Sequence, residues 1–152
     1  MTEVEVEVVT LVRADPLTVF DLELDADVHA ASMAPSGEAA VTSTGRAALG
    51  PGDEVTFTAR HFGVSWRLVA RVTQYDRPRR FVDEQIRGPF RRLRHEHLFE
   101  AVSDGTTRMT DRLSFTAPLG PLGAVVGRAV LAPYLRRLLE QRAAYVRRLA
   151  EI

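Results

Sequence analysis

The sequence contains no cysteine, no lysine and no asparagine. The lack of cysteine excludes disulfide bonds, thiolate metal ligands and a cysteine nucleophile. No apolar run approaches the roughly 18 residues that a membrane-spanning helix needs. Residues 1–9 alternate between acidic and apolar side chains, which is unlike a secretory signal peptide. We therefore expect no transmembrane segment and a cytoplasmic location.

The length and composition of the chain indicate a globular domain. The chain has 152 residues, of which 45% are hydrophobic and 26% charged, a composition typical of soluble folded proteins. A chain of this length can bury roughly two-thirds of its surface on folding. We see no repeat, linker or low-complexity tract, so residues 1–152 are predicted to form a single domain with room for a core or an internal cavity.

Hydrophobic periodicity indicates an α+β layout. Period-two alternation predicts strands over 4–8, 40–49, 54–62, 64–74, 80–87, 91–102 and 106–117. Two short helices are predicted between the first two strands, one beginning at Pro16 after the N-cap Asp15 and one over 26–33. From Gly120, apolar positions recur every three or four residues, which predicts an amphipathic helix of about 30 residues that Pro133 kinks or splits. This helix would cover the apolar face of an antiparallel sheet.

This order of elements resembles the helix-grip fold of the START-like superfamily, also called SRPBCC, which includes polyketide cyclases and dehydrases. The stretches that carry the resemblance are VRADPLTVFDL, GDEVTFTARHFGVSW, RPRRFVDEQIRGPF, RHEHLFE, GTTRMTDRLSF and APLGPLG. The resemblance implies a curved seven-stranded sheet wrapped around the long C-terminal helix, with a cavity between them. It also implies that the cavity binds a small hydrophobic or amphipathic molecule, lipid- or polyketide-like.

The net charge of zero conceals an uneven distribution. Residues 1–60 carry 11 acids and 3 arginines, net −8, and residues 61–152 carry 17 arginines and 9 acids, net +8. A basic half invites a nucleic-acid or anionic-membrane hypothesis. In the resembled fold, however, Glu5 and Glu7 on the outer face of the first strand neighbour Arg108 and Arg112 on that of the seventh. We therefore expect cross-strand ion pairs and no nucleic-acid partner. For the terminal helix, a membrane-surface role stays an alternative to an ordinary solvated face.

Strand parity predicts which side chains point inward. Residues 93, 95, 97 and 99 share one face of the sixth strand, and the leucine and phenylalanine among them mark it as the inner face. A three-residue loop over 103–105 would keep the apolar faces of the last two strands together and place His97 opposite Asp111. The parity of the fifth strand is ambiguous, so Asp83 and Gln85 point inward only if Phe81 does. His29 belongs to the second short helix, which in the resembled superfamily lies near the cavity mouth. The predicted ligand-binding residues are His29, Phe57, His61, Trp66, Asp83, Gln85, His95, His97, Phe99, Met109 and Asp111.

The inward histidines have three interpretations. They can be hydrogen-bonded core residues. His97 and Asp111 can form a pair in which the carboxylate fixes the tautomer of a general acid or base, and these two are the candidate catalytic residues. Histidines with Asp111 could also hold zinc or iron. Since His95 and His97, two residues apart on a strand, have no supporting motif, we expect no metal and no other cofactor.

The leading hypothesis is a protein that binds a small hydrophobic molecule. The alternative is a cofactor-independent polyketide cyclase, aromatase or dehydratase in which His97 and Asp111 move protons next to a carbonyl. A regulatory or partner-binding domain is a third possibility, although no feature marks a partner surface. Both a monomer and a homodimer are compatible with the sequence.

Overall fold

A curved antiparallel sheet of seven strands organises the computed structural model, which describes residues 3–152. The strands are β1 (Val4–Val12), β2 (Ala39–Thr42), β3 (Glu54–His61), β4 (Val64–Asp76), β5 (Arg80–Arg87), β6 (Arg92–Ser103) and β7 (Thr106–Thr116). Their order across the sheet is β1-β7-β6-β5-β4-β3-β2. The two edges are therefore β1 and β2, and the strands from β2 to β7 form the predicted meander.

The helices lie where the sequence predicts them. Between β1 and β2 the chain forms α1 (Pro16–Glu23), α2 (Ala26–Ser32) and a 3-10 turn (Ala34–Ser36). The Asp15 side chain caps α1 by accepting a hydrogen bond from Thr18 N at 2.8 Å. The C-terminal helix consists of α3 (Gly120–Val126), a π-helical turn (Gly127–Leu131) and α4 (Ala132–Ala150). Pro133 lies in the first turn of α4, where its missing N–H is tolerated best. Within residues 3–152, no helix is both long and apolar enough to cross a membrane.

The second strand is shorter than predicted. Pairing extends only over Ala39–Thr42, against β3, and not over 40–49. The chain leaves the sheet at Gly45, which adopts a positive φ of 78°. Beyond it, the backbone bonds to the junction of α1 and α2: Ala26 N donates to Ala47 O at 2.9 Å, and Leu49 N donates to Leu24 O at 3.2 Å. These bonds use groups that a longer β2 would have offered to β3.

Buried side chains fill the concave side of the sheet unevenly. Large buried side chains fill the space below β1, β5, β6 and β7, among them Phe20, Phe81, Phe99, Met109 and Phe115. Below β3 and β4 the buried cluster contains only small residues, Ala26, Val55 and Ala70. Since these fill less volume, space remains on this side of the molecule.

The convex side carries the cross-strand ion pairs that the charge pattern predicts. Arg112 on β7 lies 3.0 Å from Glu7 on β1 and 3.0 Å from Glu96 on β6. Arg108 pairs with Glu100 at 3.0 Å, and Arg80 pairs with Glu96 at 2.7 Å. Arg112 therefore pairs with the acidic first strand as predicted, whereas Arg108 pairs with Glu100 on β6.

Candidate functional site

A small cavity lies between the inner face of the sheet, the junction of α1 and α2, and α4. Its volume is about 50 Å³. The apolar lining consists of Leu24, Ala26, Leu49, Val55, Phe57, Ala70, Val72 and Phe81, and the polar lining of Glu23, Asp25, His29, Asp83, His95 and Arg142. The cavity therefore has an apolar wall below β3 and β4, and a polar wall on the side of β5, β6 and α4.

The polar wall continues inward as a cluster of ionisable side chains. Three strands contribute to it at inner positions: Asp83 on β5 pairs in register with His95 on β6, and His97 on β6 pairs with Asp111 on β7. Glu23 at the end of α1 and Arg142 on α4 complete the cluster from the helical side. We call these six residues, Glu23, Asp83, His95, His97, Asp111 and Arg142, the interior charge cluster.

The predicted register between β6 and β7 is confirmed, but through a different turn. His97 lies opposite Asp111, as predicted from a three-residue loop. The structure instead pairs Ser103 with Thr106 across a two-residue turn, and the register shifts between Ala101 and Ser103. The extra residue of this bulge restores the parity that a two-residue turn alone would have broken.

Hydrogen bonds fix both histidines of the cluster. Nε2 of His95 lies 3.0 Å from Oδ1 of Asp111, and Nε2 of His97 lies 2.8 Å from Oδ2 of Asp83. The two imidazoles stack with their centroids 3.7 Å apart, and Phe81 stacks on His97 from the other side at 4.0 Å. His97 is consequently enclosed on both faces and completely buried.

Several atoms of the cluster lack hydrogen-bond partners. Within residues 3–152, both carboxylate oxygens of Glu23, Nδ1 of His97 and Nε of Arg142 are buried without one. They are nevertheless close to opposite charges: Nδ1 of His97 lies 3.3 Å from Oδ1 of Asp111 and 3.6 Å from Oε1 of Glu23. Nε of Arg142 lies 3.2 Å from Oε2 of Glu23. The contacts are electrostatic and longer or less direct than hydrogen bonds.

The cluster shifts the pKa values of its two histidines in opposite directions. Burial alone would lower the pKa of His97, but the carboxylates of Asp111, Asp83 and Glu23 outweigh it and raise this pKa to about 10. Burial lowers the pKa of His95, and the neighbouring His97 lowers it further. For Asp83, burial opposes ionisation, yet the hydrogen bond from His97 brings its pKa to about 2. The arrangement therefore favours a cationic His97 beside a neutral His95 at neutral pH.

His29 and Phe57 form the opposite side of the cavity. Their rings stack at 4.4 Å, and Nδ1 of His29 lies 3.1 Å from Oε2 of Glu38. Burial lowers the pKa of His29, and Arg142 adds to this effect. With His95 and Asp83, these residues are the predicted ligand-binding residues that line the cavity. His97 and Asp111 lie in the cluster behind it.

The other predicted ligand-binding residues lie elsewhere. His61 bonds to the hydroxyl of Tyr134 at 2.6 Å, and Trp66 is 39% exposed with its indole N–H donating to the His61 carbonyl. The Gln85 side chain bonds to the backbone of Phe90 and so closes the β5–β6 hairpin. Phe99 and Met109 are buried in the main core cluster. None of these five residues lines the cavity in the described part of the chain.

Sequence reasoning missed Glu23 and Arg142. Their position in the sequence could have identified them, because each lies on the buried face of its helix. Glu23 follows buried Val19 and Phe20 at helical spacing, and Arg142 lies between buried Leu139 and Val146. A charged residue on an inward stripe requires a partner in the interior, and here the two residues provide each other with one.

Comparisons with known proteins agree with the fold. The family model for polyketide cyclase / dehydrase and lipid transport matches residues 2–151. No match to a curated protein sequence is significant. A solved structure from Thermus thermophilus superposes with a TM-score of 0.74 at 18% identity, covering 93% of this chain and 96% of that one.

Two further solved structures extend the likeness. The Zhui aromatase/cyclase of a Streptomyces species gives a TM-score of 0.70 at 16% identity over 99% of this chain and 94% of its own. A START superfamily protein of Mycobacterium smegmatis gives 0.66 at 15% identity over 97% of each chain. Identities this low establish a shared fold and leave activity open. The match of the family model over nearly the whole sequence, together with the observed helix-grip architecture, leads to one conclusion: the chain belongs to the polyketide cyclase / dehydrase and lipid transport family.

Proposed function

We propose that this protein binds a small amphipathic molecule between the sheet, α2 and α4. The observation that carries this proposal is the two-sided lining of the cavity. Phe57, Ala70 and their apolar neighbours offer a surface for a hydrocarbon or ring system, whereas His29 and His95 offer hydrogen bonds. Ligand sites in proteins typically combine an apolar wall with a few polar groups that set orientation.

The size of the cavity constrains how a ligand enters. A volume of about 50 Å³ holds only a few water molecules, whereas sites for drug-sized ligands measure roughly 300–1,000 Å³. A lipid- or polyketide-like ligand therefore requires the wall formed by α2, β2 and residues 43–53 to move outward. This wall rests on the cluster of Ala26, Val55 and Ala70, which has fewer buried residues than the two other apolar clusters of the described chain.

The chemistry of the polar wall favours a neutral polar group on the ligand. His29 and His95 are both uncharged at neutral pH, because burial lowers the pKa of each. Arg142 is already paired with Glu23. A hydroxyl or carbonyl group can bond to the imidazoles without desolvating a second buried charge. Family membership supports a lipid- or polyketide-like identity for such a ligand.

Ligand binding is tested by native mass spectrometry of the purified protein and by titration with the uncharged fluorescent dye N-phenyl-1-naphthylamine, followed by competition with 1-octanol. Ala70→Leu fills the cavity from the apolar wall, so we expect dye affinity to fall about tenfold or more, the effect of losing a well-packed apolar contact. Ala101→Leu, a substitution of the same size at an exposed position of β6, is the matched control. Equal affinity in the two variants would contradict the proposed cavity.

A second candidate function rests on the contact between His95 and Asp111. His95 faces the cavity, its Nε2 is held by Asp111, and the lowered pKa of its imidazole leaves it neutral and able to accept a proton. These are the requirements for a general base in a cofactor-independent cyclase, aromatase or dehydratase. Since His97 is sealed behind His95 and Phe81, the geometry favours His95 for this role, with Asp111 as the residue that positions it.

The variant His95→Gln distinguishes an enzyme from a protein that only binds its ligand. If the protein is an enzyme, His95→Gln abolishes turnover of a poly-β-keto thioester while dye affinity stays within about twofold of the wild type. His61→Gln, which alters a histidine outside the cavity, should change neither quantity. Turnover that survives His95→Gln would eliminate the acid–base role and leave the binding function standing.

A further inference from the structure

Three buried side chains converge behind the cavity in a way that a ligand-binding role does not use. Glu23 comes from the end of α1, His97 from the middle of β6 and Asp111 from β7, and their side chains are 1%, 0% and 3% exposed. One donor atom from each residue lies within 4.8 Å of the other two. We infer that Glu23, His97 and Asp111 form a binding site for a divalent transition-metal ion, with zinc as the metal whose geometry fits best.

Two of the three separations between the donor atoms fit tetrahedral coordination, and the third is within 4.8 Å. Zinc binds imidazole nitrogen and carboxylate oxygen at roughly 2.0–2.2 Å, so two ligand atoms of a tetrahedral site stand about 3.4 Å apart. Nδ1 of His97 lies 3.3 Å from Oδ1 of Asp111 and 3.6 Å from Oε1 of Glu23. A hydrogen bond between such groups would be shorter, near 2.8 Å. The spacing therefore leaves room for an ion between the groups.

Two of the three residues also offer donor atoms that have no hydrogen-bond partner within residues 3–152. Nδ1 of His97 and both carboxylate oxygens of Glu23 are buried without a hydrogen bond. Leaving such atoms unsatisfied is costly, and native proteins seldom do so without a reason. A second group of possible ligands, Asp83, His95 and His97, differs in this respect, because Nε2 of His97 is already bonded to Asp83 at 2.8 Å. In the group of Glu23, His97 and Asp111, by contrast, Glu23 and Nδ1 of His97 have no hydrogen bond, and only Oδ1 of Asp111 is already bonded, to His95 at 3.0 Å.

Each of the three ligands has a supporting partner. Nε2 of His97 contacts Asp83, which is the carboxylate–histidine–metal arrangement that fixes the tautomer of a ligating imidazole and leaves Nδ1 to bind the ion. His95 contacts Asp111 at 3.0 Å, and Arg142 contacts Glu23 at 3.2 Å. An outer shell of this kind is typical of metal sites that hold their ligands in place before the ion binds.

The charges of the cluster point to a cation with two positive charges. Glu23, Asp83 and Asp111 face a single guanidinium, that of Arg142. Protonation of His97 supplies one further positive charge and leaves the cluster with an excess negative charge. A divalent ion bound to neutral His97 removes that excess. The cavity lined by Glu23 lies beside the site and offers space for a water molecule as the fourth ligand.

The test begins with the full-length wild-type protein. It is unfolded in denaturant with a chelator, refolded in the presence of ZnCl₂, MnCl₂ or CoCl₂, dialysed, and analysed by inductively coupled plasma mass spectrometry. We expect one equivalent of metal per chain, with zinc retained most tightly, and for cobalt the strong visible absorption of a four-coordinate site. Refolding gives the ion access to a site that is closed in the native state. Wild-type protein that folds in all three metals and retains none would overturn the inference.

Variants locate the metal. Glu23→Gln and Asp111→Asn preserve side-chain size while removing a ligand charge, and we expect each to weaken zinc binding about 100-fold or more. Asp83→Asn removes only a supporting partner and should weaken it by about 10- to 100-fold. His61→Gln, which removes a histidine from the Tyr134 contact, should have no effect. Circular dichroism establishes that each variant is folded. Full zinc stoichiometry in Glu23→Gln and Asp111→Asn, or its loss in His61→Gln, would show that the ion binds elsewhere.

Discussion

At the scale of single residues, a buried ion pair between Glu23 and Arg142 joins α1 to α4. Nη2 of Arg142 donates to the main-chain oxygen of Glu23 at 2.9 Å, and its Nε lies 3.2 Å from the Glu23 carboxylate. Both side chains are almost completely buried. The net stability that such a pair contributes is small, because desolvation offsets the attraction. Removal of one partner, by contrast, leaves the other charge without compensation.

This asymmetry gives a prediction for a double-mutant cycle. Arg142→Met leaves buried Glu23 with only its longer contact to His97 at 3.6 Å, and we expect the free energy of unfolding to fall by about 3–5 kcal/mol. In Glu23→Gln/Arg142→Met no charge is stranded, so the double variant should recover at least half of that loss. Urea denaturation in the presence of a chelator measures both values without a contribution from bound metal. If the losses in the two single variants simply add in the double variant, the residues do not act as a pair.

Strand parity predicts the inward direction of His95, His97 and Asp111, because side chains on a strand alternate with period two. It does not predict which histidine bonds to Asp111. Register places His97 opposite Asp111, whereas the hydrogen bond comes from His95, one pair away on the same face. Diagonal partners are within reach of long side chains, and their rotamers decide the contact. Charged helix residues such as Glu23 are harder to predict, since a charge on a helix is usually exposed.

At the scale of secondary-structure elements, the start of the C-terminal helix contains two buried glycines with different surroundings. A Cβ atom added to Gly123 would lie 1.7 Å from the carbonyl oxygen of Pro118, which is a prohibitive overlap with backbone. At Gly127 the nearest atom to an added Cβ is in the Phe115 ring, at 3.5 Å. Both glycines are buried, but only at Gly123 does the neighbouring backbone leave no room for a side chain.

The two glycines provide a matched comparison. Gly123→Ala forces α3 away from the end of β7, and we expect a loss of about 1–3 kcal/mol in the free energy of unfolding, the usual cost of overpacking. Gly127→Ala makes ordinary van der Waals contacts and gains helix propensity, so its stability should lie within about 1 kcal/mol of the wild type. Thermal and urea unfolding measure both. Similar destabilisation by the two substitutions would mean that the helix tolerates no side chain at either position.

Most elements are predictable because hydrophobic period and turn residues agree. The fifth strand is predicted with its observed bounds, 80–87, and the terminal helix with its interruption near Pro133. The second strand is not predicted accurately, since the chain turns at Gly45 and the backbone of residues 47–49 bonds to Leu24 and Ala26 instead. Local pattern cannot reveal such competition between distant partners for the same backbone groups. The bulge before Ser103 was missed for the same reason, as its effect on register depends on the packing of both strands.

At the scale of the whole molecule, the two edges of the sheet differ in how firmly they are held. Along β1, the inner residues Val4, Val6 and Val8 are buried in a cluster with Phe115 and Leu139. At the other edge, β2 has four residues, and Val41 is 69% exposed. The cavity lies next to this second edge. The half of the molecule near β1 is therefore well packed, whereas the half near β2 buries fewer apolar side chains.

This difference predicts where the molecule opens. Local opening requires little free energy where few apolar side chains are buried, so amides of α2, β2 and β3 should exchange with solvent by local fluctuation, and those of β6 and β7 only by global unfolding. Hydrogen–deuterium exchange with mass spectrometry at increasing urea concentration measures these opening free energies by segment. Saturation with N-phenyl-1-naphthylamine should slow exchange in α2, β2 and β3 and leave β7 unchanged, because the dye stabilises only the wall that it contacts. Uniform exchange across the sheet would show that the cavity side is as rigid as the rest, and a ligand larger than the 50 Å³ space would then have no route inward through that wall.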